Sequence, residues 1–140
     1  EMFSARKGEG AYLGNSQMHV SGTDDLGISI LATGFPYDKE NAQINNLKEF
    51  NAFLPRLQGV RRMGSAALDL CYVACGRFDG YWEHALSPWD IAAGAIIAME
   101  AGANVTRYDG SPFDPEFPQL CVSNGKIHRQ MLEVLATIHG

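Results

Sequence analysis

The sequence predicts a layered α/β fold, built on a largely parallel or mixed sheet with an antiparallel hairpin region at the N-terminal end. Three observations carry that prediction. The first twenty residues alternate short extended runs with Gly8, Gly10, Gly14 and Asn15, the punctuation of hairpins. From residue 27 onward, short apolar runs alternate with segments of helical periodicity, the pattern of strands whose connections are helices. At 140 residues with 46% hydrophobic content, the chain has enough apolar surface for one core, so residues 1–140 are taken as a single unit.

Element by element, MFSARKGEGAYLGNSQMHVSG reads as two or three antiparallel strands. Its G-E-G-A-Y-L-G run misses the dinucleotide fingerprint by one residue and is followed by a polar turn instead of a helix, which excludes a nucleotide-binding fold of that type. GISILATGF, residues 27 to 35, is a buried-strand run. Residues 38 to 57 carry Ile44, Leu47, Phe50, Leu54 and Leu57 at helical spacing. A short strand follows over Val60 to Met63, then a helix from Ser65 to about Cys75, the strand RFDGYWE, and a helix beginning near Trp89. After Gly102 come the strand NVTRY, a proline-rich loop, the strand LCVSN, and a last helix from Lys126 with Ile127, Met131, Leu135 and Ile138 on one side. No internal repeat, low-complexity segment or linker interrupts this order.

A formal charge of -5 argues against a general nucleic-acid binder, whose affinity comes largely from cationic contacts to phosphate. Cys71, Cys75 and Cys121 form an odd set without C-x-x-C spacing and read as buried free thiols of a reducing compartment. No apolar run is long enough to span a bilayer, and no basic-then-apolar leader opens the chain, so a cytoplasmic protein without a membrane partner is expected. The opening residues already read as the middle of a strand. The sequence therefore looks like part of a longer protein.

The chemistry concentrates between residues 61 and 102. In SPWDIAAG, Asp90 sits at the mouth of a helix that is apolar on every side, where its carboxylate can meet free backbone N–H groups as a plain cap. Ala92, Ala93, Gly94 and Ala95 give that first turn almost no bulk, which lets another helix or a ligand approach. A carboxylate there also suits a hard cation such as Mg²⁺, although one carboxylate cannot make a metal site alone. Gly64-Ser65 precedes a helix of small and apolar residues. It reads either as an ordinary Ser cap or as a corner that binds an anion or a hydroxyl. Arg61 and Arg62 precede it on adjacent strand positions, so only one of them can face that corner. Glu83 ends a strand, where α/β sheets bind ligands, and could accept a hydrogen bond from a substrate hydroxyl; a solvated surface Glu is the plain alternative. Glu100 lies in the last turn of its helix, against the dipole, and is expected to have a hydrogen-bonded structural role. His19, His84, His128 and His139 show no metal-ligand spacing and receive no role, and Trp82 and Trp89 read as packing residues.

The run GSAALDLCYVACGRFDGYWEHALSPWDIAAGAIIAMEAG strongly resembles the second half of the inositol monophosphatase family, and bacterial members most closely. W-D-x-A-A-G followed by E-A-G is the most specific block. FSARKGEGAYLG, ILATGFPY and LCVSN match the same family in order, so the resemblance covers nearly the whole chain. It implies a sugar-phosphatase-like layered fold and a Mg²⁺-dependent phosphomonoesterase, commonly a homodimer, acting on a small phosphorylated polyol such as inositol 1-phosphate. It implies further that Asp90 is a metal ligand, that Glu83 contacts ring hydroxyls, and that Gly64, Ser65, Ala66 and Arg61 lie on the substrate side.

The chain also departs from the family pattern. The family's other metal ligands lie in G-E-E and D-P-x-D-G-T elements, and neither occurs here; the one Asp-Pro, Asp114-Pro115, is followed by Glu116-Phe117. The chain thus resembles a C-terminal half with the N-terminal metal-binding half absent, and in isolation it is expected to be inactive. Fructose-1,6-bisphosphatase, nucleotide bisphosphatase and histidinol-phosphatase relatives share this scaffold and stay open as alternatives. So does a non-catalytic interaction module that retained the fold.

Overall fold

The computed structural model describes residues 1–38 and 40–139. The opening segment forms β1 (Phe3–Ala5), β2 (Ala11–Leu13) and β3 (Ser16–Met18), an antiparallel three-stranded meander in chain order. Gly8 and Gly10, at φ 81° and 84°, make the turn between β1 and β2 that a residue with a Cβ would strain.

The remaining strands are β4 (Ile30–Thr33), β5 (Gly59–Arg61), β6 (Gly80–His84), β7 (Asn104–Thr106) and β8 (Gln119–Ser123). They form a five-stranded mixed sheet in the order β5-β4-β6-β8-β7. β4 runs parallel to both β5 and β6, and β8 runs antiparallel to β6 and β7. The helices are α1 (Leu47–Phe53), α2 (Ala66–Ala74), α3 (Pro88–Glu100) and α4 (His128–His139).

Strand alternation sorts the sheet's side chains into two cores. Ala32, Tyr81, Leu120 and Val122 face α2 and α3, meeting Leu70, Val73, Ile91, Ala95 and Ala98, with Ala11 and Met18 of the meander closing that core from the far side. Leu31, Trp82 and Cys121 point the other way, onto Phe53 of α1 and Met131, Val134 and Leu135 of α4. The layers therefore run meander, α2 with α3, mixed sheet, α1 with α4. The expected α/β architecture with an N-terminal antiparallel region is the one observed.

The small residues opening α3 serve helix contact. A methyl group at Gly94 would lie 2.7 Å from Leu70 Cδ1 and 2.8 Å from its Cβ, so α2 and α3 approach as closely as they do because position 94 has no side chain. Glu100 has the structural role expected of it. Its Oε1 accepts hydrogen bonds from Gly8 N (2.9 Å) and Gly10 N (3.0 Å), fastening the β1–β2 turn to the end of α3. Those two bonds hold its carboxyl below the usual range. His128 is a satisfied core histidine, with Nε2 2.8 Å from Thr106 Oγ1 and Nδ1 2.8 Å from Ser123 Oγ; burial pushes it down to about 4. Cys71, Cys75 and Cys121 are free thiols, and burial raises Cys71 to about 11.

Two expectations need correction. The helix read over residues 38 to 57 is α1 alone, continued by a single 3-10 turn over Leu54–Arg56; Lys39 of that stretch lies outside the described residues. Periodicity misled because an Asn side chain takes a backbone donor ahead of α1: Asn45 Oδ1 accepts from Leu47 N at 3.1 Å, and Asn46 enters the helix left-handed at φ 66°. Ile44, counted as a core position, is exposed. Trp89, read as a packing residue, is 83% exposed, whereas Trp82 is fully buried.

Candidate active site

The three parallel strands β4, β5 and β6 end on the same side of the sheet, and the N-termini of α2 and α3 come to that edge. Side chains at such carboxyl ends converge on the space beyond the strands, and helix N-termini bring unpaired N–H groups to it. The result is a cavity of about 620 Å³. Its walls include Arg62, Gly64, Ser65 and Ala66 from the β5–α2 connection, Glu83 and His84 from β6, and Trp89 and Asp90 from α3. Gly34 and the Phe35-Pro36-Tyr37 loop after β4 close it. Another hollow, of about 420 Å³, lies on the meander beside Ser4, Arg6, Glu9 and Tyr12, where Arg6 and Glu9 are well exposed and no carboxylates converge.

Each helix start has a defined local cause. Ser65 is extended, at φ -145°, and its Oγ accepts from Leu68 N at 3.3 Å, leaving the N–H groups of the first α2 residues directed outward at the cavity. Gly64, at φ 81°, supplies the left-handed step that turns the chain from β5 into that cap. In α3, Ser87 caps, Pro88 occupies the first turn, and Asp90 Oδ2 accepts from Ser87 N at 3.1 Å, the acidic half of a capping box. The plain capping reading of Asp90 is therefore realised, and the same carboxylate also lines the cavity.

Glu83 is the most perturbed acid in the cavity wall. Burial pushes it up to about 7 and the Asp90 carboxylate adds to the shift; the Tyr81 hydroxyl and the Arg62 guanidinium oppose it. Asp69, on the inner face of α2 and 1% exposed, is likewise raised to about 7, first by burial and then by Glu83. Asp69 Oδ1 is buried without a hydrogen-bond partner among the described residues. Two acids that repel one another thus stand behind the cavity wall, one of them reaching into it.

The floor is fixed by Asn46. Its Nδ2 donates to Thr33 Oγ1 (2.8 Å) and to the Gly34 carbonyl (2.7 Å), its Oδ1 accepts from Trp82 Nε1 (2.7 Å), and Thr33 Oγ1 donates to the Trp82 carbonyl (2.6 Å). One buried amide ties the ends of β4 and β6 together.

The structure brings Gly64, Ser65, Ala66, Glu83 and Asp90 to one cavity and leaves Arg61 out of it. Strand alternation decides between the adjacent arginines: the Arg61 guanidinium lies back over its own strand, 3.3 Å from the Val60 carbonyl, while Arg62 turns into the cavity 5.7 Å from the centre of the Phe35 ring. The sequence marked no site role for Gly34, Asn46, Asp69, Tyr81 or His84, and marked the exposed Trp89 only as packing. Asp69 carried a signal, an acid at an inward position of an apolar helix. Asn46 carried none.

A Mg²⁺ centre needs several oxygen ligands. Among the described residues no group of three or more His, Cys, Asp or Glu side chains is placed to hold a metal ion, so these residues do not by themselves fit one.

Fold and cavity together define a layered α/β protein with an open cavity at the carboxyl ends of its parallel strands. Residues 1–139 match the inositol monophosphatase family, and the chain belongs to that family. It is 48% identical over 136 residues to the inositol-1-monophosphatase of Synechocystis sp., a match covering 97% of this chain and 47% of that protein. A putative Nus factor SuhB of Neisseria meningitidis is 40% identical over 136 residues, covering 97% of this chain and 52% of that one. The solved structure of inositol monophosphatase from Anabaena (Nostoc) superposes with a TM-score of 0.93 at 45% identity, over 96% of this chain and 54% of that chain. The chain spans about half the length of the relatives it matches.

Proposed function

We propose that this chain supplies the substrate side of a cytoplasmic, homodimeric, Mg²⁺-dependent phosphatase that hydrolyses inositol 1-phosphate to inositol and phosphate. The observation that carries the proposal is the convergence of Glu83, Asp90, Arg62 and the α2 N-terminus on one cavity, in a chain of this family. Glu83 accepts a hydrogen bond from a ring hydroxyl, and the N–H groups at Gly64, Ser65 and Ala66 donate to substrate oxygen. Arg62, in place of Arg61, supplies the positive charge on that side. Asp90 is one ligand of a metal site whose other carboxylates come from protein outside these residues. Held by Asp90 together with those carboxylates, Mg²⁺ would supply charge neutralisation on the phosphate.

The test is phosphate release from inositol 1-phosphate with Mg²⁺, comparing the 140-residue chain with the intact protein that carries it, each beside its Asp90→Asn variant. No release from the chain, and release by the intact protein that falls at least about a hundredfold with Asp90→Asn, is the expected outcome. Mg²⁺-dependent turnover by the 140-residue chain alone overturns the division of the site. A second reading, a binding module without chemistry, draws on the 40%-identical relative whose name, putative Nus factor SuhB, states no reaction. An intact protein that releases no phosphate from any polyol phosphate or sugar bisphosphate favours it.

A further inference from the structure

Gly34 closes the cavity where β4 ends, and its backbone gives no reason for it to be glycine. Its φ is not positive, unlike those of Gly8, Gly10 or Gly64. The reason lies across the sheet. A methyl group at position 34 would sit 2.7 Å from the Glu83 carboxyl carbon and closer still to Oε1, far inside van der Waals contact. We infer that Gly34 determines substrate specificity by position: the side chain it lacks is the space the Glu83 carboxylate occupies, so its size sets where Glu83 meets the polyol. This inference rests on the reading of Glu83 as the acceptor for a ring hydroxyl.

The surroundings dictate which partner would yield. The Gly34 carbonyl is held at 2.7 Å by Asn46 Nδ2, and that amide is in turn held by Thr33 and Trp82, all buried. Backbone fixed at both neighbouring strand ends resists displacement, whereas a glutamate carboxyl is the free end of a flexible side chain. A larger residue at 34 therefore displaces the Glu83 carboxylate, out of register with the ligand. Gly34 acts through Glu83 and is a positioning residue.

The experiment is Gly34→Ala in the intact enzyme, assayed on inositol 1-phosphate and on para-nitrophenyl phosphate, whose leaving group has no ring hydroxyls. KM for inositol 1-phosphate is expected to rise about tenfold, the scale of one weakened charge-assisted hydrogen bond, with the aryl ester unaffected. In a Glu83→Ala background the same substitution is expected to change neither substrate. Equal effects on both esters, or an effect that persists without Glu83, overturns the inference. If Glu83→Ala raises KM for inositol 1-phosphate and Gly34→Ala does not, the inference fails and the reading of Glu83 stands. If Glu83→Ala shows no preference between the esters, that reading fails and takes the inference with it. Should Gly34→Ala be insoluble, recovery of soluble protein in Gly34→Ala/Glu83→Ala supports the shared space, and failure to recover it overturns the inference.

Discussion

Asp69 and Glu83 hold their protons far above the usual carboxylate range because burial penalises the charged forms, with repulsion from Glu83 adding to it at Asp69 and from Asp90 at Glu83. The folded protein therefore binds protons that the unfolded chain releases. That contribution to stability is full below about pH 4 and is lost as pH rises through about 7. Asp69→Asn is expected to stabilise the protein at pH 8 by about 1–2 kcal/mol and to flatten its stability between pH 5 and 8, read from urea midpoints at several pH values. Glu83 carries the functional counterpart. On the proposal that Glu83 accepts from a ring hydroxyl, its acceptor form fills in as pH passes 7, so KM for a polyol phosphate is expected to fall between pH 6 and 8, and Glu83→Gln to abolish that trend. Asn46 behaves differently, since nothing about it titrates. Asn46→Ala leaves the Trp82 indole N–H unpaired in the core and is expected to lower stability by about 2–4 kcal/mol in chemical unfolding.

Among the elements, α2 and α3 were legible, α3 from near Trp89 onward and without its Ser87 cap, because their chemistry is local. Ser65 and Ser87 cap them, Pro88 opens α3, and the apolar runs behind need only a buried setting. α1 was read in full but begun too early, because an asparagine side chain upstream takes a backbone donor that periodicity does not register. The candidate site divides along the same line. Glu83, Asp90 and Gly64-Ser65 sit where a strand ends or a helix starts, positions that sequence can mark. Asn46 meets Trp82 from 36 residues away, and Gly34 meets a side chain on a strand that pairs with its own; neither contact has a local trace. The α2–α3 contact gives this scale its own test. Gly94→Ala is expected to cost about 1–3 kcal/mol by overpacking against Leu70, and a double-mutant cycle with Leu70→Val to recover part of it.

At the scale of the molecule, α2 and α3 hold one core between two sheets yet leave Leu68, Trp89, Ile96 and Met99 exposed. Apolar side chains on adjoining helices promote association, so the purified 140-residue chain is expected to sediment above its monomer mass. A compact monomer in that measurement removes the expectation. The two tryptophans occupy opposite environments within this architecture, Trp82 sealed beneath the strand ends with its indole N–H bonded, and Trp89 83% exposed at the rim of the cavity. The protein thereby carries two intrinsic optical reporters that answer different questions. Iodide quenches the rim indole alone while the fold is intact, so shielding of that emission follows a ligand entering. Hydrogen exchange at the sealed indole follows the floor coming apart, which separates occupancy from unfolding in one unlabelled sample.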